Sequence, residues 1–96
     1  MSCYFMAQIQ IHNQDEYTKY LDLVDQVFEK FNGKYLAVDE KPTVLEGTWN
    51  YDRVVLIEFQ DETELSRWYN STEYQTIVKH RINAAHCDTL IIKGLK

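Results

Sequence analysis

Two groups of side chains in this sequence are equipped for chemistry. The first is the run Arg53-Val54-Val55-Leu56-Ile57-Glu58-Phe59, in which a carboxylate sits among apolar neighbours. A carboxylate that loses water titrates upward, which is what a general acid or base requires. Arg53 in the same run, with Glu46 shortly before it, supplies a cation to orient an anionic or carbonyl-bearing ligand. The competing reading is that Arg53 closes a strand-end ion pair and Glu46 is solvated. The second group is aromatic. Trp68, Tyr69 and Tyr74 have the size to wall an apolar pocket, and equally the spacing of ordinary helix core. The hydroxyl of Tyr35 either orients a ligand or reaches solvent.

Other devices are missing. With three glycines, the chain has neither a phosphate-cradling Gly-rich loop nor a Gly-x-Ser-x-Gly elbow. Nothing suggests a flavin or nicotinamide fold, and no cofactor is expected. His12 and His86 fall near one sheet edge with Cys87 and Asp88, but at loop positions without ligand spacing, so no metal is expected. Cys3 and Cys87 begin strands that run antiparallel, which separates them by about 25 Å and predicts free thiols.

The elements that carry these residues follow from periodicity. Tyr4–Ile11 alternates, with Phe5, Ala7, Ile9 and Ile11 on one face and Tyr4, Met6, Gln8 and Gln10 on the other. Asn13 or Asp15 caps a helix whose apolar positions Tyr17, Tyr20, Leu21, Val24, Val27, Phe28 and Phe31 recur at helical steps. Asn32-Gly33 ends it, with Gly33 as a left-handed C-cap. A second strand over Lys34–Asp39 is interrupted near Pro42 and resumes through Thr43–Thr48. Trp49–Asp52 then reads as a hairpin turn before a third strand, Arg53–Phe59. Asp61 with Glu64 starts a helix that breaks at Asn70, and Ser71 caps its continuation. Asn70-Ser71-Thr72 is therefore a joint, although it matches the N-glycosylation pattern. Cys87–Lys93 is the last strand. The order β-α-β-β-α-β is that of a ferredoxin-like α+β domain with an antiparallel sheet, filling residues 1–96 as a single domain.

Composition narrows the function classes. The chain is 45% hydrophobic and 26% charged, which suits a globular protein, and its net charge of -5 opposes a nucleic-acid partner. No apolar run is long enough to span a bilayer, and no signal peptide precedes Tyr4, so the expected location is cytoplasmic with no membrane partner. The third strand is apolar on both sides, and Leu90-Ile91-Ile92 is continuous, the pattern of strands covered on two faces. Right-handed crossovers put both helices on one face. A second copy is therefore expected on the other, giving a homodimer with facing sheets. The face carrying Val54, Leu56 and Glu58 is assigned to that enclosed space, with Tyr4, Met6, Gln8 and Gln10 beside it. Taking the first and third strands as parallel puts Glu58 and Gln10 at the same end of the sheet. Register stays open, so Glu46 and Glu58 both remain candidates for the inward carboxylate.

Several short motifs together resemble domain-of-unknown-function family 1330, small bacterial proteins with a dimeric α+β barrel fold. They are Gly33-Lys34-Tyr35, Val44-Leu45-Glu46-Gly47, Arg53, Glu58-Phe59, Trp68-Tyr69, Ser71, Glu73-Tyr74-Gln75, Arg81 and Ala84-Ala85. The resemblance implies a homodimer with a ligand-sized cavity and no agreed activity. It adds Arg81 to Tyr35, Glu46, Arg53, Trp68, Tyr69 and Tyr74 as residues expected on a small-molecule ligand. The chain departs from the family at Thr72, where proline is common, and near Val38-Asp39, where an Arg-Gly-Gly-like run is common. Two functions remain in competition: a cofactor-independent enzyme using Glu58 on a carbonyl or aromatic compound, and a non-catalytic binding or sensing protein.

Overall fold

The computed structural model describes residues 1–95. Its elements are β1 (Cys3–Ile11), α1 (Gln14–Phe28), β2 (Lys34–Asp39), β3 (Arg53–Phe59), α2 (Glu62–Tyr69), α3 (Thr72–Ala84) and β4 (Ala85–Lys93). The four strands form one antiparallel sheet in the order β2-β3-β1-β4. This is the ferredoxin-like arrangement with its second helix broken in two. Each helix start is set by a side-chain cap. Asn13 accepts from Glu16 N at 3.1 Å, Asp61 from Glu64 N at 2.9 Å, and Ser71 from Tyr74 N at 3.1 Å. Such a cap contributes about 1 kcal/mol. Ser71 also donates to Trp68 O at 2.8 Å, so one residue ends α2 and begins α3. This joint re-aims the chain between Trp68 and Tyr74.

All three helices lie on one face of the sheet. Phe5, Ala7 and Ile9 of β1 and Val55, Ile57 and Phe59 of β3 are buried beneath them. Trp68 is the centre of the core, 1% exposed, with ring centroids 4.3 Å from Tyr74, 5.2 Å from Phe5, 5.4 Å from Phe59 and 5.9 Å from Phe28. Burying side chains of this size stabilises the fold by about 1.5–3 kcal/mol each. Among the described residues, no helix covers the opposite face. It presents Tyr4, Met6 and Gln8, with Leu56 opposite Met6 and Leu90 on its other side. Leu90 is 52% and Ile92 40% exposed. No helix among the described residues is long and apolar enough to cross a membrane.

Three expectations are corrected. First, β1 and β3 are antiparallel: Tyr4 pairs with Glu58, whereas Gln10 pairs with His86 at the far end. A right-handed β1-α1-β2 crossover makes β1 and β2 parallel, and the reversal into β3 inverts it. Second, β2 does not resume, and the stretch 40–52 is an irregular loop without the expected strand at Thr43–Thr48 or a tight hairpin turn. Asp39 takes Lys41 N at 2.9 Å, which turns the chain away from the ladder. Pro42 has no donor to return with, and Gly47 adopts φ 85°. Third, Gly33 is no left-handed cap. Helix α1 stops at Phe28 with Glu29 in right-handed conformation, and Gly33 is required for space: a Cβ there would lie 2.5 Å from Phe28 Cζ and 2.8 Å from Phe59 Cε1.

Candidate functional site

Helix α1 and the β2–β3 edge of the sheet enclose the chain's best-furnished space. A cleft of about 330 Å³ opens between the start of α1 and the ends of β1 and β3, lined by His12, Tyr17, Leu21, Glu40, Asp52 and Arg53. Beneath α1 lies a second, more enclosed cavity of about 30 Å³ that shares Tyr17, Leu21 and Arg53 with the cleft and adds Tyr20, Tyr35, Trp68 and Arg81. The site is positioned by regular elements. Arg53 opens β3 opposite Ile9, Tyr17 and Tyr20 project inward from α1, and Arg81 comes from the last turns of α3. Asp52 pins the rim to the end of β1, with its N–H donating to Ile9 O and its carboxylate accepting from Ile11 N, both at 2.7 Å.

The inner cavity's polar lining is two arginines, an indole and tyrosine hydroxyls. Arg81 is only 5% exposed, and the ion pairs among the described residues do not include it. Its guanidinium carbon lies 5.9 Å from the Tyr20 ring centroid. Arg53 pairs through one terminal nitrogen with the exposed Glu40 at 3.1 Å. The Nε atoms of both arginines and Nε1 of Trp68 are buried without a hydrogen-bond partner. Tyr20 and Tyr74 share a hydroxyl–hydroxyl bond of 2.8 Å. Burial pushes the Tyr17 and Tyr35 hydroxyls up to about 12, and those of Tyr20 and Tyr74 also upward. All four therefore stay neutral donors near pH 7. Apolar walls from Phe5, Ala7, Ile9, Val55 and Ile57 surround them.

The residues singled out from the sequence divide between different places. Arg53, Tyr35, Trp68 and Arg81 meet around the enclosed cavity, and Tyr74 reaches it through Tyr20. Tyr69 instead lines a separate apolar groove of about 290 Å³ with Phe5, Leu65, Leu90 and Ile91, beside β4. Glu46 is exposed in the 40–52 loop. Glu58 lies on the helix-free face, opposite Tyr4 and Lys34, at the other end of β3 from Arg53. The constellation of Glu58, Arg53 and Glu46 is therefore not formed within one chain, because side chains alternate faces along a strand and Arg53 faces the helices. Tyr17 and Tyr20 were legible only as inward helix positions. Their signal was chemical: tyrosine stands where leucine would fill the same core.

Among known proteins, the family model described as Domain of unknown function (DUF1330) matches residues 2–95. No curated protein matches the chain. Among solved structures, a protein of unknown function from Rhodopseudomonas palustris superposes with a TM-score of 0.80 at 20% identity, covering 99% of this chain and 83% of that one. A dimeric ferredoxin-like protein of unknown function from Jannaschia has a TM-score of 0.79 at 8% identity, covering 98% of this chain and 100% of that one. SnoaB, a cofactor-independent oxygenase from Streptomyces nogalater, has a TM-score of 0.71 at 9% identity, covering 99% of this chain and 94% of that one. These likenesses share a fold across unlike sequences, and fold alone does not carry function. With the family model spanning nearly its whole length, the chain belongs to the DUF1330 family.

Proposed function

We propose that this chain is a cytoplasmic, homodimeric small-molecule-binding protein whose ligand enters the cleft beside α1. The observation that carries this reading is that an open cleft and an inner cavity share Tyr17, Leu21 and Arg53, so that a mouth with polar and apolar walls leads to a largely apolar chamber holding two arginines. The homodimer is supported by the uncovered sheet face, where Leu56, Leu90 and Ile92 await a partner, and by the dimeric state of the Jannaschia neighbour. A fragment screen followed by amide NMR tests the binding reading, with shifts expected at Tyr17, Leu21 and Arg53. A screen whose every hit perturbs only the groove beside β4, or nothing, contradicts it. Sedimentation at micromolar concentration tests the assembly, and a strictly monomeric boundary contradicts that part.

A second reading is favoured by Glu58. It is half-buried in the single chain, and a second copy on its face would remove more of its water. In that reading Glu58 acts as acid or base on a carbonyl or aromatic compound without a cofactor; the Streptomyces neighbour is likewise named as cofactor-independent, though as an oxygenase. Turnover by the wild-type chain that is lost in Glu58→Gln, with ligand binding retained, would favour it over binding alone.

A further inference from the structure

We propose that the enclosed cavity beneath α1 receives the carboxylate of a singly charged organic acid, whose apolar body lies in the cleft past Tyr17 and Leu21. The inference rests on the small-molecule reading above and names the class of ligand. Three residues that line this one cavity, Arg53, Arg81 and Trp68, each carry a buried N–H without an acceptor. An orphaned buried donor is costly, and several around one space call for an acceptor-rich occupant. The side-chain acceptors on its lining are neutral tyrosine hydroxyls, and no acidic residue among those described lines the cavity.

Charge and size narrow the occupant. Arg53 already faces Glu40, whereas Arg81 has no carboxylate within 4.0 Å among the described residues. One positive charge is therefore uncompensated, which suits a monoanion and leaves a dianionic phosphate with an excess of negative charge. A cavity of about 30 Å³ suits a planar carboxylate better than a tetrahedral oxyanion. Apolar walls at Ile9, Val55 and Ile57 strengthen a charge-assisted hydrogen bond by excluding water. Glu40, 79% exposed at its side chain, holds Arg53 from the solvent side, in the manner of a competitor that an incoming carboxylate displaces.

Isothermal titration of the full chain with sodium benzoate, benzamide and inorganic phosphate, at fixed ionic strength, separates the alternatives. Benzoate is expected to bind tighter than the isosteric amide by on the order of tenfold, since the bond to a charged acceptor is about twice as strong. Arg81→Met is expected to abolish that preference while benzamide still binds. Glu40→Gln, a change at an exposed position, is expected to tighten benzoate severalfold by freeing Arg53. Equal binding of benzoate and benzamide overturns the carboxylate assignment but leaves the cleft as a binding site. Phosphate binding as tightly as benzoate makes it a general anion site and also overturns the assignment. If no probe binds, or only water occupies the cavity in a benzoate-soaked crystal, the inference falls with the reading beneath it. Should Arg81→Met fail to fold, Glu40→Gln decides, and unchanged benzoate affinity there refutes the proposal.

Discussion

Replacing Arg81 with methionine should make the unliganded protein more stable, an outcome opposite to that for a structural arginine. Arg81 is 5% exposed with an unpartnered Nε. An orphaned buried donor costs about 1–3 kcal/mol, and a lone buried cation costs several kcal/mol even after relaxation. Against this stand its position 5.9 Å from the Tyr20 ring, worth about 0.5–2 kcal/mol, and contacts with the Tyr74 hydroxyl and Cys87 sulfur, worth about 1 kcal/mol each. Methionine replaces the aliphatic stem and adapts to irregular space. The balance predicts a gain of about 1 kcal/mol, which for a domain of this size is about 4–8 °C in Tm. Urea unfolding followed by tryptophan fluorescence, with thermal melts alongside, measures it. A loss of more than about 1 kcal/mol would show Arg81 to be structural and remove the reason to see its charge as reserved for a ligand.

Other substitutions test the fold and its electrostatics. Gly33→Ala should destabilise by about 1–3 kcal/mol through overpacking, because Phe28 and Phe59, 8% and 1% exposed, leave its Cβ no room. Combining it with Phe28→Leu in a double-mutant cycle should recover part of the loss, and simple additivity would reject the clash. Tyr74→Phe leaves the Tyr20 hydroxyl without its 2.8 Å partner and should cost about 1–2 kcal/mol by chemical denaturation; a neutral result would mean that Tyr20 has another acceptor. The His80 hydrogen bond at 2.5 Å, aided by Lys19, holds the Glu16 carboxyl below its ordinary 4.5. That contribution is present above pH 4.5 and is lost as pH falls through the lowered value, so Glu16→Gln should flatten the acid side of the stability profile. A profile identical to wild type would deny the link between α1 and α3. Leu56→Asp on the helix-free face should yield monomers in sedimentation without unfolding the chain, whereas an unaltered dimer would place the interface elsewhere.

Local chemistry explains why much of the fold was readable in advance. Alternation in β1 and the caps at Asn13, Asp61 and Ser71 act within a few residues, so short stretches of sequence determine them. The break at Asn70-Ser71 is of this kind. Gly33 and the loop 40–52 were misread for a common reason. Gly33 answers to two phenylalanines brought in from α1 and β3, and the loop is held at its far end by the Asp52 carboxylate on Ile11 N, a partner that only the folded sheet makes available. The site was half legible. Arg53, Tyr35, Trp68 and Arg81 could be named, but their meeting place depends on which face of β3 turns toward the helices. The antiparallel pairing of β1 with β3 put Gln10 at the far end of the sheet from Glu58. The alternation of faces along β3 put Glu58 on the side away from Arg53.

The most direct test of the Arg53–Arg81 cavity as the ligand site is side-chain N–H spectroscopy. The Nε–H groups of Arg53 and Arg81 and the indole N–H of Trp68 are the donors in question. The indole N–H of Trp49, also buried without a partner but outside the cavity, is the internal control. On titration with benzoate, downfield proton shifts are expected at Arg53, Arg81 and Trp68, saturating together, with Trp49 unmoved and benzamide producing smaller changes. Saturable benzoate binding that leaves the Arg81 and Trp68 resonances where they were would contradict it.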